Sequence, residues 1–155
     1  MNTSKLIASL ALCFFVAFAG NLITMPAIES WYPTLAKPSF TPPNWLFGPV
    51  WSLLYFMMGI SFYLIWKKGD KDVKLRKALH VFLFQLFFNF LWTFVFFGLE
   101  QPLAGFIVIA SLWISILYTI ILFRKISQPA AYLLIPYLLW VTYASFLNLF
   151  IVLLN

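Results

Sequence analysis

Three short constellations in this chain combine residue types and spacings that can do chemistry in an apolar setting. Gln85, Asn89 and Trp92 recur at i, i+4 and i+7, and so share one helix face; Trp140, Ala144 and Asn148 do so with the same helical periodicity. Trp51 and Tyr55 form a third pair at i, i+4. Amides and a phenol supply donors and acceptors, and indoles supply broad faces on which a flat, mostly apolar molecule stacks. Conventional acid–base or metal chemistry finds little support. The one histidine, His80, reads as an interfacial residue rather than a haem ligand, and no Cys/His cluster has metal-ligand spacing. The four carboxylates, Glu29, Asp70, Asp72 and Glu100, fall in loops, so no acid/base pair forms. No phosphate-binding glycine loop is present. No metal and no required cofactor are expected.

Elements that hold such residues must sit in lipid. Of 155 residues, 64% are hydrophobic and 9% charged, and the mean hydropathy is +0.97. A water-soluble domain of this size has no interior for that much apolar side chain. The expectation is a single-domain, all-α integral membrane protein spanning residues 1–155, with five transmembrane helices at about 6–28, 43–66, 78–99, 102–123 and 129–153. The first run is too long for a signal peptide. Its Ser9, Cys13, Ala17 and Gly20 make a small-residue stripe suited to close helix packing. Cys13, the single cysteine, reads as a small buried hydrophobe.

Between the first two helices, WYPTLAKPSFTPP carries Pro33, Pro38, Pro42 and Pro43, each lacking a backbone donor, so it predicts a stiff, ordered loop with the composition of a lid. Thr41 is the expected N-cap of the second helix, and Pro49 an expected kink. Nine of the ten basic residues fall on one side: Lys5, Lys67, Lys68, Lys71, Lys74, Arg76, Lys77, Arg124 and Lys125, against Lys37 on the other. The positive-inside rule then places the N-terminus in the cytoplasm of a bacterial plasma membrane, with the first loop and the C-terminus outside. The net charge of +6 is a topology signal with some attraction for anionic lipid, not a nucleic-acid footprint.

Counting from the outer helix ends at 1.5 Å per residue puts Trp51 about 12 Å deep, Asn89 about 15 Å and Ala144 about 14 Å. Trp140 lies slightly deeper and Asn148 shallower. Two readings fit this layer beneath the loop. Gln85, Asn89 and Asn148 are interhelical hydrogen-bond glue, with the tryptophans as filling; or the layer is a lidded, aromatic-walled pocket in which Ala144 leaves room for a ligand. Tyr55 and Trp92 belong to the layer in either case.

WYPTLAKPSFTPPNWLFGPVWSLLYFMMG, FNFLWTFVFFG and PYLLWVTYASFLN resemble the translocator protein family, also called tryptophan-rich sensory proteins or peripheral-type benzodiazepine receptors. The likeness is to a bacterial-type member and runs from Trp31 to Asn148, the first helix matching only in character. It implies a homodimeric five-helix bundle that binds porphyrins such as protoporphyrin IX, and isoquinoline carboxamide and benzodiazepine drugs, in a stress-linked role. The positions that match the family's pocket are Tyr32, Pro42, Trp51, Asn89, Trp140, Ala144 and Asn148. Trp51 and Trp140 are then the expected pair for porphyrin stacking and for light-driven porphyrin degradation, since an oxidisable indole can pass an electron to an excited porphyrin. Lys37 is either a contact for a porphyrin propionate or an ordinary solvated lysine. Animal members carry a tyrosine followed by a basic residue late in the fifth helix; LNLFIVLLN has neither, which argues against sterol as the natural ligand. A tetrapyrrole transporter and a sensor signalling through the basic second loop are the alternatives to a receptor.

Overall fold

A computed structural model describes all 155 residues, and every regular element in it is helical. The helices are α1 (Thr3–Ser30), α2 (Asn44–Trp66), α3 (Val73–Thr93), α4 (Pro102–Arg124), α5 (Gln128–Leu133) and α6 (Ile135–Leu154). Five stretches are long and apolar enough to cross a membrane: α1, α2, α3 with the wide turn that follows it, α4, and α5 with α6 together.

The helix ends follow local chemistry. Asn2 caps α1 by accepting from the Lys5 backbone N–H at 3.1 Å, and Asp72 caps α3 by accepting from that of Lys74 at 2.7 Å. The Asp72 cap starts the third helix at Val73 rather than near Ala78, because a polar first turn can stand clear of lipid. The first helix likewise runs to Ser30 and takes in Glu29, which the sequence places in a loop. Thr41 does not cap α2. Its hydroxyl donates to the Pro38 carbonyl at 2.8 Å, and Pro43 holds the cap position without a side-chain bond. Pro136 divides the fifth span: lacking an N–H, it leaves a one-residue break at Leu134 between α5 and α6.

Past Thr93 the third span widens into a π-turn, Phe94–Gly98, with the Leu99 N–H reaching back five residues to Phe94. Glu100 then takes a left-handed conformation, φ 56°, reversing the chain before Pro102 opens α4. The π-turn gives the end of α1 a place to lean. A Cβ on Gly98 would lie 3.1 Å from Ile23, and the rings of Trp31 and Phe96 meet edge-on at 5.5 Å.

At the basic end, α1 and α2 are tightly joined. Ser9 and Cys13 are fully buried, and a Cβ on Gly59 would lie 2.7 Å from Leu10 Cδ2 and 3.1 Å from Leu10 Cα. Lys5 donates to the Trp66 carbonyl at 3.0 Å, and the Asn2 N–H donates to the Tyr63 hydroxyl at 3.2 Å. The loop between α1 and α2 is ordered, with a 3-10 turn at Tyr32–Thr34. It is fastened to α6: Asn155 accepts from the Ala36 N–H at 3.0 Å and donates to the Ala36 carbonyl at 2.8 Å. The Tyr143 hydroxyl donates to the Phe40 carbonyl, and Phe40 packs edge-on against Phe150.

Candidate functional site

In the loop-end half of the bundle, α1, α2, the end of α3 and α6 enclose a cavity of about 360 Å³. Trp51, Tyr55, Trp92, Trp140 and Ala144 line it together, drawn from three spans. Helical spacing aims these side chains inward, and Trp51 is the hub. Its ring centroid lies 5.7 Å from Tyr55, 6.5 Å from Trp92, 6.3 Å from Tyr137 and 6.5 Å from Trp140. The Trp140 and Tyr137 rings meet it edge-on, the favourable arrangement for aromatic quadrupoles.

Asn89 and Asn148 stand behind this wall and hold it. The Tyr55 hydroxyl donates to Asn89 Oδ1 at 2.5 Å, Asn89 Nδ2 donates to the Tyr137 oxygen at 2.8 Å, and the Tyr137 hydroxyl donates to Gln85 Oε1 at 2.7 Å. Gln85 Nε2 ends the chain against Met58 Sδ at 4.0 Å. Trp92 Nε1 donates to Asn148 Oδ1 at 3.0 Å, and Asn148 Nδ2 donates to the Pro102 carbonyl at 2.8 Å. A neutral, fully connected network is what a low-dielectric interior tolerates. One indole differs. Trp140 Nε1 is buried and hydrogen-bonds to nothing, although other atoms of the residue line the cavity.

The loop residues go elsewhere. Tyr32 and Pro42 are buried, but neither lines the cavity. Tyr32 packs on Phe97 at 5.9 Å, and its phenol is pushed up to about 12 by burial and, secondarily, by Tyr143. Lys37 turns back into its own loop. Its ammonium donates to the carbonyls of Tyr32 and Leu35 at 2.8 and 3.2 Å and lies over the Tyr32 ring at 4.7 Å. His80 is exposed on the second turn of α3, away from the cavity.

Sequence reasoning missed the α1 wall and Tyr137. From α1 the cavity takes Phe14, Ala17, Phe18, Gly20, Asn21, Thr24, Met25 and Ile28. Asn21 and Thr24, polar and one turn apart inside an apolar run, were a usable signal. So was Tyr137, which precedes Trp140, Ala144 and Asn148 on their own face.

The TspO/MBR family model matches residues 9–154. The chain is similar to the tryptophan-rich protein TspO of Archaeoglobus fulgidus, 46% identical over 155 residues, covering 100% of this chain and 99% of that protein. It is also similar to the tryptophan-rich sensory protein of Cereibacter sphaeroides, 32% identical over 148 residues, 96% of this chain and 89% of that protein. The human translocator protein is 39% identical over 121 residues, 76% of this chain and 70% of that protein.

Proposed function

The chain belongs to the TspO/MBR family of membrane proteins, and from that premise we propose that it is a membrane receptor for porphyrins such as protoporphyrin IX. The observation that carries this reading is the cavity built around Trp51, where a flat apolar ligand meets Trp51, Trp92 and Trp140 at once. Isoquinoline carboxamide and benzodiazepine drugs, planar and mostly apolar, suit the same aromatic walls. Tyr55 and Ala144 complete the lining, Asn89 and Asn148 position it, and Tyr32 and Pro42 brace the end of the bundle above it. Under light, Trp51 or Trp140 passes one electron to the excited ring, leaving an indole radical cation and a porphyrin radical anion, and degradation of the ring then requires dissolved dioxygen as the oxidant. A homodimer in a plasma membrane, basic end in the cytoplasm, completes the reading; the nine basic residues on one side support that orientation.

Titration with protoporphyrin IX in detergent, dark and then illuminated, tests it. Saturable quenching of tryptophan emission, and light-driven loss of the porphyrin band that Trp51→Phe and Trp140→Phe abolish, are expected. Unchanged binding and bleaching in both variants would remove the tryptophan pair from the mechanism.

A second reading, transport of tetrapyrroles, draws on the name of the human relative and on a cavity whose lining reaches the bundle surface. Porphyrin uptake into sealed liposomes would favour it over the receptor.

A further inference from the structure

The cavity reaches the bundle surface beside α1 and α2 rather than beneath the loop. No residue from Trp31 to Pro43 lines it, and the loop is fastened to α6 through Ala36, Phe40 and Asn155. Its α1 and α2 linings, by contrast, reach the outer surface of the bundle. Phe18 is 63% exposed and Met25 46%, and Asn21, Asn44, Gly48 and Ser52 are exposed too. The two helices touch closely at Gly59, yet a Cβ on Gly48 would meet nothing within 4 Å. They therefore separate toward the loop end, and the cavity is the space between them.

The rim of that gap is polar at a depth where polarity is costly. From the loop ends of their helices, Thr24 lies about 9 Å deep, Ser52 about 12 Å and Asn21 about 13 Å. Elsewhere in the bundle, helical hydroxyls turn back on the carbonyl four residues earlier, as at Ser9, Ser111, Thr119 and Ser145. Those of Thr24 and Ser52 do not, and the Asn21 amide has no partner in the chain either. In hydrocarbon such groups need one.

We propose that the gap between α1 and α2 is a lateral portal, through which a planar amphiphile dissolved in the loop-side half of the bilayer slides into the cavity, its polar edge passing along Asn21, Thr24 and Ser52. The portal rests on the receptor reading above and adds the route and the ligand class: an apolar plane with a hydrogen-bonding edge, taken from lipid rather than from water. Phe18 and Met25, unbranched at Cβ and exposed, are the side chains that must swing aside.

The test uses the full chain in lipid nanodiscs with protoporphyrin IX as probe. In Asn21→Cys/Ser52→Cys, a short bis-maleimide bridges the gap; in Ala36→Cys/Asn155→Cys, a bridge pins the loop to α6. Each bridged protein is compared with its own unbridged form. The α1–α2 bridge is expected to slow porphyrin association about tenfold or more and to trap porphyrin loaded beforehand, while the loop bridge leaves both rates unchanged. The reverse pattern would overturn the portal. Independently of porphyrin, a membrane-dissolved maleimide should label the single variants Asn21→Cys and Ser52→Cys. Protection of both would mean that the gap is covered, as by a second copy, and would also overturn it. Absence of porphyrin binding by the wild type would instead remove the receptor reading, and the labelling would still decide whether the gap opens to lipid.

Discussion

Gly59 and Gly48 stand on one helix about three turns apart and meet opposite surroundings. At Gly59 the missing side chain lets α1 come within contact of the α2 backbone; at Gly48 the same absence borders open space. The basic-end half around Gly59 also buries Ser9, Cys13 and Met58 completely and closes its polar groups on one another. The loop-end half keeps a cavity, an indole N–H without an acceptor, and hydroxyls without partners. Close packing satisfies the polar groups of one half and leaves some of those in the other without partners. The Tyr55–Asn89–Tyr137–Gln85 chain is the boundary, since Tyr55 faces the cavity with its ring and the closed core with its hydroxyl.

Breaking that boundary should have the largest effect. Asn89→Leu strands the Tyr55 hydroxyl and removes the donor to the Tyr137 oxygen, for an expected loss of roughly 2–4 kcal/mol. Denaturant unfolding in detergent measures it, and a double-mutant cycle with Tyr55→Phe should recover part of the loss. A loss no greater than that of an exposed substitution would mean that the network holds nothing together.

The two glycines sharpen the contrast. Gly59→Ala forces Leu10 aside and should cost about 1–3 kcal/mol, whereas Gly48→Ala should be neutral or stabilise by up to about 1 kcal/mol through helix propensity. Equal effects at the two positions would erase the difference between the halves.

The indoles give a smaller test. Trp92→Phe forfeits the bond to Asn148, worth about 1 kcal/mol, and Trp140→Phe forfeits no bond. Thermal midpoints should therefore fall more for Trp92→Phe, while ligand affinity falls for Trp140→Phe.

Smallest is a pH effect confined to the loop. Burial favours the neutral Tyr32 phenol, so its stabilising contribution is complete below the ordinary phenol pKa of about 10. It is lost as pH rises toward about 12. Phenolate absorbance should show a component rising toward about pH 12 that Tyr32→Phe removes, and loop protection against proteolysis should fall in the same window. Ionisation of Tyr32 at the ordinary phenol pKa of about 10 would contradict its burial.

Much of the site is legible in the sequence. The spacing of Trp51 with Tyr55, of Asn89 with Trp92, and of Trp140 with Ala144 places each set on one face, and depth counting brings them to one layer. The two readings of that layer also resolve residue by residue. Asn89, Asn148 and Gln85 hydrogen-bond between helices, and Trp51, Trp140 and Ala144 line a cavity. The α1 wall was not legible as a wall, because an apolar helix in lipid is hydrophobic all round and shows no face.

Membrane spanning, the number of spans and the aromatic–amide layer were determined by the sequence alone, since hydropathy and a period of 3.6 residues act within a single segment. Where the cavity opens was decided by the tertiary structure. The loop reads as a lid from its prolines, but Ala36 meets Asn155, 119 residues away in the chain, and Gly59 meets Leu10 while Gly48 meets nothing. Those pairings join distant segments by shape, which local periodicity does not encode, and they carry the loop to α6 and leave α1 and α2 apart.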